Sequence, residues 1–548
     1  MEDTYLQTNA SSPRHQSGHA PQRGLLFQQM GDYSSLGLTT NVTLTVVLIL
    51  LVSLSSSARN LFRKRQYPTV NKEPWDPWLK KAKANYRDHA KELIQQGFEK
   101  FGGEPFWLET DNGPQLILPA EMMEAVNKAS TLSFDAYNFK FFLSQYDTFK
   151  QFKGEPRGTE LFQEALMKGL TRSLPKFTSI LSDEMSSCLE DNWGNSEEWH
   201  EVSPRTDILS WVSRLSSRIF AGPVLCRNED WLRISRDYTV DVFQAVMDVK
   251  EWPRVLQWPV ERFSQKCRKV RAEHAMAHKI LGPILAAREE EHTRAAQEGR
   301  SPDVPDDAFE WFRTAAIAKG IKIKNVEVQI GLSLAAIHTT SDLITQAVVN
   351  LCKYPEVLPA LREEAVDVLS KYGWQKLALT EVRLLDSFLK ETQRVKPIGV
   401  TTRHVIATKD VTLPGGIRIR KGEMAAVSSH RMWSEAAYEQ PKIFDAARFF
   451  KRRENPKLRN NSLLVSTSPD HMAFSHGKHA CPGRFFAANE AKIALLHLLL
   501  KYDFKVDEKE NTDWLEMGEQ MIVNPFFKIS VRRRKEEIDL DSLKTEPA

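Results

Sequence analysis

Between Asn325 and Lys353 the chain carries one uninterrupted helical pattern. Its middle, VQIGLSLAAIHTTSDLITQAVV, is apolar on nearly every face. A helix with no polar side lies either in the middle of a large protein or in a membrane. His338 and the neighbouring Ser341 and Asp342 disfavour lipid, where ionisable groups are costly. The segment therefore predicts a central helix, capped by Asn325 and with Glu327 suited to its positive end. Such a helix needs much chain around it. At 548 residues, 41% hydrophobic and 9% aromatic, this chain can bury a sizeable core as one large domain.

The flanking segments are mostly helical as well. LKKAKANYRDHAKELIQQGFEKFGG is amphipathic and stops at a glycine pair. Residues 158–295 hold several amphipathic segments broken by Pro175, Pro204, Pro223, Pro253 and Pro259. PEVLPALREEAVDVLSKYG and TEVRLLDSFLKETQRVKP are helical and each ends at Gly or Pro. Two places read as β. WLETDNGPQLILP is a hairpin with turn chemistry at Asp111-Asn112-Gly113-Pro114, and VTLPGGIRIRKGEMAAVSS is a strand, a glycine turn and a second strand. The fold class is thus mainly α with a minor β-sheet, without internal repeats, and SPDVPDD (301–307) is a surface loop.

Residues 33–58 are free of charge and are followed by Arg59, Arg63, Lys64 and Arg65. As a helix they would rise about 39 Å, enough for a bilayer core of about 30 Å. We read an N-terminal transmembrane anchor whose basic flank faces the cytosol. Residues 1–32 are then a lumenal tail, with Asn9-Ala-Ser a glycosylation triplet. A cleaved signal peptide is the rival, since Ser56 and Ala58 suit a cleavage site, but 32 residues precede the uncharged stretch and are not strongly basic. Residues 59–78 form a linker, 79–535 the main domain, and 536–548 a disordered tail. With 75 basic and 71 acidic residues, the balance gives no case for nucleic acid. The five cysteines, Cys188, Cys226, Cys267, Cys352 and Cys481, are odd in number and widely spaced. That argues against a disulfide framework and for a reducing compartment.

One stretch concentrates metal-binding side chains: HMAFSHGKHACPGRFF, residues 471–486. His471, His476, His479 and Cys481 could supply four zinc ligands, although H-x4-H-x2-H-x-C is not a usual finger spacing. Against zinc, Gly477 and Gly483 frame the cysteine, and glycine permits tight turning and close approach to a ligand. Pro482 can open the helix that follows. Cys481 would then sit at a helix N-terminus, which favours thiolate. Zinc, another metal, or a buried structural thiol all remain open from these residues alone.

FSHGKHACPG resembles the haem-binding loop of the cytochrome P-450 family, F-x-x-G-x-basic-x-C-x-G, with Phe474, Gly477, His479, Cys481 and Gly483 matching. Other segments agree. Glu391 and Arg394 in KETQR and Arg448 in FDAARF resemble the family's Glu-Arg-Arg cluster, a fold lock with no part in the chemistry. Arg403 in TTRHV resembles a haem-propionate partner, a role His479 would share. No W-x-x-x-R is present, so a further propionate contact is unplaced. AAIHTT (335–340) resembles the oxygen-side helix motif, in which Thr339 aligns with the proton-delivering threonine. Here Ala336 replaces the usual glycine and His338 the usual acid.

These departures, with YPTVN and SHGKHACPGRFFAANE, resemble a fungal branch of kaurene-oxidase-like enzymes acting on secondary metabolites. The resemblance spans residues 60–535. It implies haem b held through Cys481, a monooxygenase hydroxylating an apolar, terpenoid substrate, and catalytic roles for Thr339 and His338. It further implies a pocket lined by Ala335, Ala336, Ile398 and Val400. The expected partners are an NADPH-cytochrome P-450 reductase, cytochrome b5 and the lipid bilayer of the endoplasmic reticulum, with the catalytic domain cytosolic. A haem-thiolate isomerase or dehydratase needing no reductase, and a non-catalytic haem-binding sensor or carrier, are the alternatives.

Overall fold

A computed structural model describes residues 65–76, 79–153 and 158–543. Among them the sheet that matters for the site has five strands: β1 Phe106–Thr110, β2 Gly113–Leu118, β3 Leu132–Ser133, β4 Thr401–Ala407 and β5 Met424–Ser428, in the order β1-β2-β5-β4-β3. β1 and β2 form the expected hairpin, closed at Thr110 opposite Gly113. The glycine turn of VTLPGGIRI also forms, pairing Val411–Leu413 with Ile417–Ile419. MAAVS is not its partner. It is β5, parallel to β2 and antiparallel to β4, so this stretch makes three strands rather than two.

The helices used below are α1 Lys80–Lys100, α2 Arg172–Asn192, α3 Pro204–Phe220, α4 Glu229–Lys250, α5 Gln265–Glu298, α6 Asn325–Lys353, α7 Arg383–Val395 and α8 Arg484–Lys501. Helices dominate, as expected. Pro204 occupies the first position of α3, where its missing N–H costs nothing. α6 has the predicted bounds, but Lys324 rather than Asn325 precedes its first turn. Asn325 caps nothing, and its Oδ1 is buried without a partner among the described residues. From Thr340 to Leu351 every residue of α6 is buried. Leu343, Ile344, Ala347 and Val348 join the main core with residues of α2, α3, α7 and α8. The polar side chains of that stretch are satisfied internally: Asp342 pairs with Lys396, Thr345 Oγ1 donates to Ser341 O at 2.6 Å and Asn350 Nδ2 to Thr392 Oγ1 at 3.1 Å.

The compact unit begins at Gln66, not at residue 79. Asn71 is buried, its Nδ2 donating to Ala82 O and Glu109 O and its Oδ1 accepting from the Glu109 N–H, each at 2.9 Å. The far end of the chain is likewise ordered beyond expectation. Leu540 is buried, Trp374 Nε1 donates to its carbonyl at 2.8 Å, and Lys501 pairs with Asp541 at 3.1 Å. The expected disordered tail is therefore packed as far as Leu543. The expected membrane span at 33–58 and the lumenal tail lie outside the described residues. Among those described, no helix is long and apolar enough to cross a membrane. All five cysteines are free.

Candidate functional site

The cysteine loop is fixed at several points. Gly477 has φ +73°, and a Cβ there would lie 2.9 Å from Asn127 Nδ2; both facts call for glycine. The Cys481 N–H donates to Phe474 O at 2.8 Å. Arg484, the first residue of α8, folds back so that Nη1 donates to Cys481 O at 2.8 Å and Nε to Val465 O at 3.1 Å. Burial pushes the Cys481 thiol up, while the N–H groups of Gly483 and Arg484 and the Arg484 charge pull it down. The helix terminus alone therefore does not make a thiolate. Its amides are nonetheless aimed at the sulfur, and they would stabilise the negative charge that a metal-bound sulfur carries.

The zinc alternative fails on geometry. His471 is buried with Nε2 3.3 Å from Lys390 O, and His476 Nδ1 meets Thr467 Oγ1 at 2.9 Å. His479 lies beside Arg403 and Lys478. The four candidate ligands do not converge among the described residues.

Arg403 is delivered by a defect in the sheet. β4 and β5 slip in register between Thr402 and Val405, and Arg403 has φ +52°, a strained value for a residue with a side chain. Its guanidinium is buried, and Nε donates to Asn127 Oδ1 at 2.9 Å. No carboxylate of the described residues lies within ion-pair distance. Burial pushes its pKa down to about 10, with Asp135 only partly offsetting this. The neighbouring His479 is pushed down to about 4 by burial and then by the Arg403 and Lys478 charges. A desolvated guanidinium lacking a counter-charge, with a second basic group beside it, is complementary to an anion. Haem propionates have that chemistry, and a sulfur ligand sits in the adjoining loop. The residues fit the group.

Asn127 was not identifiable from sequence. Its Nδ2 donates to His476 O at 2.9 Å while its Oδ1 holds Arg403, so one amide ties the cysteine loop to the bulged strand. A lone asparagine in a helical stretch gives no local signal of such a role.

On the other side, α6 has an unusual pattern of exposure. Ala335 and Thr339, one turn apart, are exposed, whereas Ile337 and Thr340 are buried. This stripe is the part of the core helix that the described residues leave uncovered. Thr339 Oγ1 donates to Ala335 O at 2.8 Å, the usual back-bond of a helical threonine, and keeps lone pairs free to accept. Ala336 is half-buried against the core. His338, one residue away and so about 100° around the helix, turns elsewhere. Its Nε2 lies 2.7 Å from Arg236 O on α4, and burial lowers its pKa. The expected titrating partner of Thr339 is thus a neutral ring donating to a carbonyl.

Ile398 is 37% exposed and available to a pocket. Val400 is not: it is 1% exposed, packed among Leu93, Phe98, Phe106, Ile117 and Met521. The Val400 N–H donates to Glu519 O at 2.9 Å, which seats its side chain in that core and not in a pocket.

Glu391, Arg394 and Arg448 come together as expected. Arg394 holds Glu391 with two bonds of 2.7 and 2.8 Å, and Arg448 Nε reaches the two carboxylate oxygens at 3.0 and 3.1 Å. Both guanidinium groups then reach backbone carbonyls: Arg394 that of Met432 at 2.8 Å, Arg448 those of Glu439 and Ile443 at 2.6 and 2.8 Å. The cluster pins α7 to the segment leading to the cysteine loop.

A thiol before a helix, with amides aimed at its sulfur, a counter-charge-seeking arginine beside it, and a core helix with an uncovered Ala335–Thr339 stripe define a haem-thiolate protein. The chain belongs to the cytochrome P-450 family: the family model "Cytochrome P-450" matches residues 83–531. It is 40% identical over 478 residues to cytochrome P-450 monooxygenase esdpI of Penicillium shearii, covering 86% of this chain and 92% of that one. It is 36% identical to cytochrome P-450 monooxygenase cle2 of Aspergillus versicolor, covering 94% and 96%. The fold matches a retinoic-acid-bound cyanobacterial cytochrome P-450 with TM-score 0.65 at 14% identity, over 85% of this chain and 99% of that one. The protein is a haem-thiolate monooxygenase, and its cofactor is haem b.

Proposed function

We propose that this monooxygenase hydroxylates an apolar secondary metabolite of the terpenoid class, on a membrane, with electrons from an NADPH-cytochrome P-450 reductase and cytochrome b5 as a further donor. The observation that carries the reading is the exposed Ala335–Thr339 stripe on an otherwise largely buried core helix: a small side chain leaves room for a substrate, and one hydroxyl is available to it. Haem b supplies dioxygen activation and insertion of one oxygen atom into a C–H bond. Cys481 would hold the iron, with the Gly483 and Arg484 amides supporting its charge. Arg403 and His479 would bind the propionates, and Asn127 fixes Arg403 against the loop. Thr339 Oγ1, its proton bonded to Ala335 O, keeps lone pairs with which it would hold a water or accept a proton at the uncovered stripe. His338 positions α6 on α4.

The test is purified protein with reductase, NADPH and a terpenoid panel. Product that requires NADPH and oxygen supports the reading. Product without NADPH would favour an isomerase or dehydratase, and haem binding without product a sensor or carrier. Thr339→Ala is expected to keep its haem but to form much less product per NADPH, the remaining reducing equivalents appearing as peroxide, since a positioned proton donor is worth about 100-fold or more in rate. Unchanged coupling would remove Thr339 from proton delivery.

Membrane anchoring is supported by residues 33–58 and by a second feature. Trp252, Val255, Leu256, Trp258 and Phe263, between and beside α4 and α5, are 43–70% exposed, and aromatic residues favour the membrane interface. The full chain is expected to stay in microsomes after carbonate extraction, and a chain lacking 33–58 to be extracted. Extraction of both alike would contradict the anchor.

A further inference from the structure

α5 passes the N-terminal end of α6, far along the chain from the cysteine loop. His274 and His278, four residues apart, share one face of α5. Glu327, in the first turn of α6, faces them. Each imidazole Nε2 lies 3.7 Å from Glu327 Oε1, and the three ligating atoms lie within 4.8 Å of one another. These separations are too long for hydrogen bonds. His274 Nε2 is buried and has no hydrogen-bond partner among the described residues. The two rings meet edge-on, at 65° with centroids 4.7 Å apart, so neither covers the nitrogen of the other by stacking.

Three donors converging without bonding one another suit a small cation between them. Metal–ligand bonds of about 2.0–2.1 Å in a tetrahedral site hold donor atoms about 3.3 Å apart; the two 3.7 Å contacts approach this, and the third separation, within 4.8 Å, closes as the rings turn. His278 is exposed and can complete the movement by rotating. Lys150 is a nearby positive charge that opposes a cation. Two imidazoles and a carboxylate, partly open to solvent, are the donor set of a three-ligand site with an open position.

We propose that His274, His278 and Glu327 form a binding site for a divalent transition-metal cation of the zinc class, which ties α5 to the start of α6. The site is separate from the haem and independent of the substrate assigned above.

The experiment uses the untagged, haem-loaded full chain, stripped of loose metal with a chelator and titrated with zinc by calorimetry. The wild type is expected to take up one equivalent with micromolar or tighter affinity. His278→Gln and Glu327→Gln should each weaken it by about 10- to 100-fold or more, the scale seen when support of a metal ligand is lost. Haem content and circular dichroism should stay unchanged in His278→Gln, whose side chain is exposed. Zinc should raise the melting temperature of the wild type and not that of the variants, because a ligand bound only to the folded state stabilises it. No zinc uptake by the wild type, or equal uptake by wild type and both variants, would overturn the proposal.

Discussion

Glu391→Ala is expected to yield a chain that fails to hold haem and unfolds at markedly lower denaturant. The carboxylate is fully buried and accepts from two arginines. Arg394 is itself fully buried and Arg448 nearly so. Removing the carboxylate strands both charges, and breaking a buried pair from one side costs about 3–5 kcal/mol. A domain is stable by only about 5–15 kcal/mol, so the loss is a large share of the total. It also frees the Asp445 N–H, which donates to Glu391 at 3.1 Å, at the turn that leads to the cysteine loop. Arg394→Lys keeps the charge but not the fork and should cost less. The checks are urea unfolding and haem stoichiometry. A variant with full haem and an unshifted midpoint would mean that the cluster is not a fold lock.

Cys481→Ser is the second large effect: product formation should disappear while the fold persists. The serine hydroxyl can still take hydrogen bonds from the Gly483 and Arg484 amides that face the sulfur, so the loop loses little locally. What it loses is the polarisable, anionic ligand that pushes electron density onto iron and favours O–O cleavage. Circular dichroism and turnover with reductase separate the two outcomes. A folded Cys481→Ser protein that still forms oxygenated product would contradict the assignment.

Much of this was legible in the residues, and the reasons differ by element. α6 could be bounded because a long periodic apolar segment admits one solution, yet its cap was misread because Asn325 suits a cap by type and the backbone starts one residue earlier. The cysteine loop was legible because glycine, cysteine and a helix start are coupled locally. Arg403 was found through resemblance, but its delivery depends on a strand slip and on Asn127, which is 276 residues away in sequence, and no local pattern encodes such a contact. His338 looked like a proton carrier by residue type; the carbonyl of Arg236 on another helix claims its proton. Val400 was misplaced because apolar residues beside a pocket and in a core look alike. The charged KEEIDLDSL hid the single buried anchor Leu540, and the proline-rich 66–76 hid Asn71.

The central claim is that the Cys481 sulfur is the protein's ligand to haem iron. The most direct measurement is the absorption spectrum of the reduced, carbon-monoxide-bound protein, taken for the wild type and for folded, haem-reconstituted Cys481→Ser. The account predicts the red-shifted Soret band of a thiolate-ligated adduct in the wild type and its absence in the variant. The same red-shifted band in both would show that a different cysteine, and not Cys481, supplies the thiolate.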